Sequence, residues 1–199
     1  GISMTDSTGG TITENTIYNN VGTNSDGIVI KGCSPEVSRN KLYDNRFNIS
    51  VEASSTKTAS PTIKNNLIYE VTSDAVSYGI SIGGIGTVSP KIYHNTIDGG
   101  LYVGIYMDGS GNTPDIKYNI ITNFGQYGIQ NWNSIGNPVL DYNNVWNNTS
   151  GNYNGCSAGT HDISQDPKYG SYTLQSSSPC INAIPTGDPP NDPVIQDID

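Results

Sequence analysis

At 199 residues and a formal net charge of −9, the chain is long enough for one extended repeat domain and too acidic to attract a phosphate backbone, so nucleic acid is excluded as a partner. Its 23 Gly, 11 Pro and 13 Tyr, set against two Phe and few Leu or Ala, describe strands and turns rather than helices. No apolar run approaches the roughly 18 residues that a membrane-spanning helix needs, which argues against membrane insertion.

In chain order, the opening "GISM" (Gly1 to Met4) reads as the inside of a strand. It lacks the charged start and apolar stretch of a signal peptide, so the expectation is a processed form or a piece of a longer chain, with its first rung covered by an upstream domain or another chain. The same strand recurs as "GIVI" (Gly27 to Ile30), "NISV" (Asn48 to Val51), "GISI" (Gly79 to Ile82), "GIYM" (Gly104 to Met107) and "GIQN" (Gly128 to Asn131). Interleaved with it is a second unit: "TITENTI" (Thr11 to Ile17), "PEVSRNKL" (Pro35 to Leu42), "PTIKNNLI" (Pro61 to Ile68), "PKIYHNTI" (Pro90 to Ile97), "PDIKYNII" (Pro114 to Ile121) and "PVLDYNNV" (Pro138 to Val145). Its Asn falls at Asn15, Asn40, Asn66, Asn95, Asn119 and Asn143, at intervals of 25, 26, 29, 24 and 24 residues. Self-similarity at such a period marks a repeat architecture. Strands that return once per repeat through turn-rich joins such as "DGSGNTP" form parallel sheets, about 4.8 Å from rung to rung. The predicted fold is all-β, a single-stranded parallel β-helix (solenoid) of about six or seven turns, with two clear strands per turn and an irregular C-terminal cap.

The register predicts three inward aliphatic columns that need no Phe: Ile12, Val37, Ile63, Ile92, Ile116 and Leu140; Ile17, Leu42, Ile68, Ile97, Ile121 and Val145; Ile2, Ile28, Ile49, Ile80, Ile105 and Ile129. The six Asn between the first two columns form a structural ladder, since Asn tolerates the left-handed turn conformation and stacked amides pair along an axis. Tyr18, Tyr43 and Tyr69, followed three rungs later by Trp146, predict a stabilising aromatic row. Two joins are enlarged, "EASSTKTASP" (Glu52 to Pro61) and "EVTSDAVSYG" (Glu70 to Gly79), and insertions in solenoids become loops, commonly on the binding face.

Past Trp146 the repeat degenerates. Ile163 and Asp166 stand 23 residues after Leu140 and Asn143, where the next aliphatic and Asn are due. The division expected is 1–146 for the repeats, 147–184 for a final turn and cap, and 185–199 for an extended acidic, Pro-rich tail. None of the three cysteines has C-x-x-C spacing; Cys156 and Cys180, one repeat apart, are candidates for a disulfide between neighbouring rungs, leaving Cys33 over.

The Pro-x-Ile-x-x-Asn-x-Ile and Gly-Ile-x-Ile rungs resemble the right-handed parallel β-helix repeat family, whose pectate-lyase-like relatives include pectate lyases, polygalacturonases and alginate epimerases. The closing "DPKYGSYTLQSSSPCINA" (Asp166 to Ala183) is similar to the C-terminal motif of secreted bacterial β-helix proteins, in which a further segment usually follows. The resemblance covers nearly the whole chain and implies a secreted or cell-surface protein. One fold hosts many functions, so activity is argued from residues.

Lyases of this fold, the resemblance implies, need an Arg or Lys base and carboxylates that hold Ca²⁺ against an acidic sugar. Only Arg39 and Arg46 are arginines, and Arg39 falls in the column Glu14, Arg39, Asn65, His94, Tyr118, Tyr142, where it reads as a cross-rung ion pair with Glu14 and His94 as a solvent-facing histidine. The Asn-Thr-Asp, Gly-His-Gly and Arg-Ile-Lys motifs of the polygalacturonases are missing. After the Gly-Ile strand, Tyr106, Asp108 and Trp132 come close across two rungs, an aromatic pair beside a carboxylate that suits a sugar ring, while "DGSGN" offers Asp108 and Asn112 as oxygen ligands for Ca²⁺. The expected function is an extracellular, non-catalytic β-helix module that binds polysaccharide or builds a cell-surface or extracellular structure. The alternative is a polysaccharide lyase or related enzyme acting on acidic glycans with Ca²⁺.

Overall fold

Each turn of the chain lays down three short strands, one more than the repeat predicts, because the Pro-to-Asn unit breaks in the middle. The structure, a computed structural model, describes residues 1–22, 25–71 and 77–183. The first sheet stacks seven parallel strands, Ile2–Thr5, Ile28–Lys31, Phe47–Ala53, Tyr78–Gly84, Ile105–Asp108, Tyr127–Asn131 and Gly151–Asn154. The second stacks six, Thr11–Thr13, Glu36–Ser38, Thr62–Lys64, Lys91–Tyr93, Asp115–Lys117 and Val139–Asp141. The third stacks six more, Thr16–Tyr18, Lys41–Tyr43, Leu67–Tyr69, Thr96–Gly100, Ile120–Phe124 and Asn144–Trp146.

The corner between the second and third sheets turns on a left-handed residue. That residue is the one before the Asn: Glu14, Arg39, Asn65, His94, Tyr118 and Tyr142 all have φ between 53° and 62°. The Asn itself supplies the bonds. Its backbone N–H and side-chain NH₂ both donate to the Oδ1 of the Asn one rung on, from Asn15 to Asn40, Asn40 to Asn66, Asn66 to Asn95, Asn95 to Asn119 and Asn119 to Asn143, at 2.9–3.1 Å. The corner's buried amides are thereby paired along the axis, as buried polar groups must be.

The three aliphatic columns meet inside in the predicted register, with Leu140 and Ile2 only partly buried near the two ends. The core does contain a Phe. Phe124 is 1% exposed at the corner between the third and first sheets, and a Cβ on Gly100 or Gly104 would stand 2.7 or 3.0 Å from its ring, so those glycines make its room.

The cap keeps the ladder but not the predicted register. Asp162, not Asp166, receives the last Asn: its Oδ1 accepts from the backbone and side chain of Asn143, at 2.7 and 3.1 Å. Ile163 pairs with Asn144 rather than continuing the Leu140 column. Asp166 instead accepts a hydrogen bond from the Lys168 N–H. The expected disulfide fails too, because the two cysteines lie in different places. All three cysteines are free; Cys156 packs against the core near Asn131 and Asn154, while Cys180 lies over Asn144 on the outer face of the third sheet. A short antiparallel pair, Tyr169–Gly170 with Thr173–Leu174, then crosses that face.

Of the enlarged joins, the first includes Thr58–Ala59, which pairs with Thr87–Val88 as a small parallel sheet. The second includes residues 72–76, which, like the tail at 185–199, lie outside the described residues.

Candidate functional site

Alternation puts Ile105 and Met107 inside and Tyr106 and Asp108 on the outer face of the first sheet. Tyr106 lies beside Ser81 and Gln130 in register, and its ring packs 5.4 Å from Tyr78, tilted by 57°. Tyr78 is itself the middle of a stack, 4.8 Å from Phe47 and 5.2 Å from Tyr102, and the Arg46 guanidinium sits 4.9 Å over the Phe47 ring. Burial pushes the Tyr106 phenol up, and the neighbouring Asp108 charge and Tyr78 push it further. Trp132 opens a 3₁₀ turn, Trp132–Ser134, one rung on, where pairing of Met107 with Asn131 brings it next to Asp108; it is 47% exposed. Among the described residues no ring stacks on it. The structure thus joins Tyr106 to Asp108, sets Trp132 alongside, and adds Phe47, Tyr78 and Tyr102, whose signal was an aromatic placed shortly before the Gly-Ile strand in successive rungs.

Asn112 is placed differently. It is fully buried, its side-chain NH₂ donates to the Ile82 carbonyl, and its Oδ1 has no hydrogen-bond partner, whereas Asp108 is exposed. The two therefore face opposite sides of the loop and do not form one ligand set. Among the described residues, no three His, Cys, Asp or Glu side chains are placed to hold a metal ion.

A second feature lies on the opposite corner. His94, Tyr118, Tyr142 and His161 stack in one row, with ring centroids 5.0, 5.6 and 4.4 Å apart and planes within 22°. Arg39 and Glu14, earlier in the same column, form the expected exposed ion pair at 3.0 Å. Between this row and the returning C-terminal segment runs a groove of about 170 Å³, floored by Leu67, Thr96 and Ile120 and closed by Leu174 and Cys180. On the same sheet Tyr18, Tyr43 and Tyr69 stack at 4.9 and 5.0 Å, and the row continues into Tyr172 of the cap rather than Trp146.

The family described as the right handed beta helix region matches residues 1–178. The chain belongs to the right-handed β-helix family. No curated protein and no solved structure matches it. No helix of this right-handed β-helix is long and apolar enough, among the described residues, to cross a membrane.

Where the third sheet of the β-helix turns back to the first, the Glu70 carboxyl stands well above its ordinary value. Burial pushes its carboxyl up to about 7, while Asn48, whose side chain donates at 3.3 Å, and Ser77 favour the ionised form and Asp44 opposes it. A carboxyl raised on folding holds its proton more tightly in the folded chain. Its contribution is full below the unfolded value near 4.5 and is lost as pH rises towards 7. Glu70 is only half-buried, so screening leaves about 1 kcal/mol, or about 3 °C in Tm. Thermal unfolding of Glu70→Gln between pH 5 and pH 8 should therefore fall by about that much less than the parent; equal slopes would remove Glu70 as the cause.

Proposed function

We propose that this β-helix is a non-catalytic module, secreted or at a cell surface, that binds polysaccharide along the outer face of its first sheet. What carries the reading is the pairing of Tyr106 with Asp108 beside the open ring of Trp132. An exposed ring face offers a sugar its apolar side, and a carboxylate one or two positions away accepts from its hydroxyls. The Phe47–Tyr78–Tyr102 stack supports Tyr106 from below, so its ring is held before the ligand arrives, which lowers the ordering cost of binding. The resemblance of Asp166 to Ala183 to secreted β-helix proteins supports the location.

Affinity electrophoresis through neutral and uronate polymers tests the reading. At least one polymer should retard the chain, and Trp132→Ala should weaken retardation about fivefold, the worth of roughly 1 kcal/mol of ring contact, with Tm unchanged. Retardation by no polymer, or equal retardation of the variant, refutes it. New unsaturated ends released from a uronate polymer, abolished by a chelator, would establish the Ca²⁺-dependent lyase instead.

A further inference from the structure

We propose that the groove on the third sheet is a second binding site, for a small, planar, uncharged aromatic molecule. The outward column of this sheet reads Thr16, Lys41, Leu67, Thr96, Ile120 and Asn144 in paired register. Leu67 and Ile120 are aliphatic where a solvated strand would carry polar groups, and the segment that returns over them brings Ile163, Leu174 and Ala183. Together they make a small apolar cluster outside the solenoid core. The returning segment leaves about 170 Å³ beside it, close to the roughly 150 Å³ of a cavity that takes up benzene.

The opposite wall selects among apolar ligands. Because His94, Tyr118, Tyr142 and His161 cover one another's faces along the axis, the row turns ring edges to the groove. Ring edges carry the positive side of the aromatic quadrupole, so they attract the negative face of a flat ligand in an edge-to-face arrangement. None of the described lining residues is Asp, Glu, Lys or Arg, and the His161 ring is already engaged by Asp141 at 3.0 Å, so a charged ligand would give up more water than the groove's neutral polar groups return. The groove is in this respect unlike the Asp108 face and is independent of the glycan reading.

Indole is the probe, with phenylacetate as its charged counterpart, on the full chain. Methyl resonances of Leu67, Ile120 and Leu174 should shift saturably with indole, and phenylacetate should bind about tenfold more weakly. Alkylation of Cys180, which lines the groove, should slow at saturating indole while that of Cys156 does not change. Ile120→Trp, filling the groove from the floor, and Leu174→Phe, filling it from the cap, should each weaken indole about tenfold without altering glycan retardation. Shifts that do not saturate, Cys180 alkylation indifferent to indole, or undiminished affinity in both variants would overturn the proposal.

Discussion

Asn95→Ala should destabilise the chain by about 4 kcal/mol, or roughly 8–16 °C in Tm. Asn95 is 1% exposed and sits mid-ladder. Its Oδ1 accepts from the backbone and side chain of Asn66, at 3.0 and 2.9 Å, and its NH₂ is shared among the carbonyls of Ile63 and Tyr93 and the Oδ1 of Asn119, each at 3.0 Å. Alanine removes all of these and leaves the buried Asn66 N–H without its acceptor, at about 1–3 kcal/mol for that group alone. Asn95→Asp should be at least as damaging, because a carboxylate oxygen would then face three acceptors. Asn15→Ala is the graded control: Asn15 lies at the end of the row, donates to Asn40 and accepts from no ladder residue, so about 1 kcal/mol is expected. Denaturant unfolding of the four chains checks the series, and equal losses at residues 15 and 95 would show that the ladder does not act through its buried interior.

The Pro, aliphatic and Asn positions were legible because they face a structure that repeats: the same neighbour stands above and below, so Asn solves the same problem in six rungs and Pro in five. Features local to one rung, or joining distant ones, leave no such repeated signal. The third strand depends on a left-handed corner residue, but that position is filled by Glu, Arg, Asn, His and Tyr in turn, with no shared chemistry to reveal it. A second amide row is too short to show as a period: Asn20 donates to Asn45, which donates to Asn48 and the Ile17 carbonyl. On the first sheet, Tyr106 and Asp108 could be paired from alternation alone, whereas Phe47 and Tyr78, although each opens its strand and the two pair in register, stand 31 residues apart across the longest insertion, which hides their stacking. The groove could not be read at all, since its walls, His94 and Cys180, are brought together only by the cap's return.

That return depends on one carboxylate, and Asp162→Ala should cost about 3 kcal/mol, with Asp162→Asn costing about 1–2 kcal/mol. The ladder needs an ending that accepts without donating. Four donors converge on Asp162: the backbone and side-chain NH₂ of Asn143 on Oδ1, and the Tyr153 hydroxyl and Gly159 N–H on Oδ2, both at 2.8 Å. An Asn could serve the first pair through its oxygen, but its NH₂ would then meet the Gly159 N–H, donor against donor. The same carboxylate adds to the burial that pushes the Tyr153 phenol far above its usual value. Replacing it with the neutral amide should therefore let the Tyr153 phenol ionise at lower pH as well as lower the Tm, and spectrophotometric titration reads the first while thermal unfolding reads the second. A loss of stability with no movement of the phenol would mean that Asp162 acts only through the ladder, and no loss in either variant would mean that the solenoid is closed by the apolar cap alone.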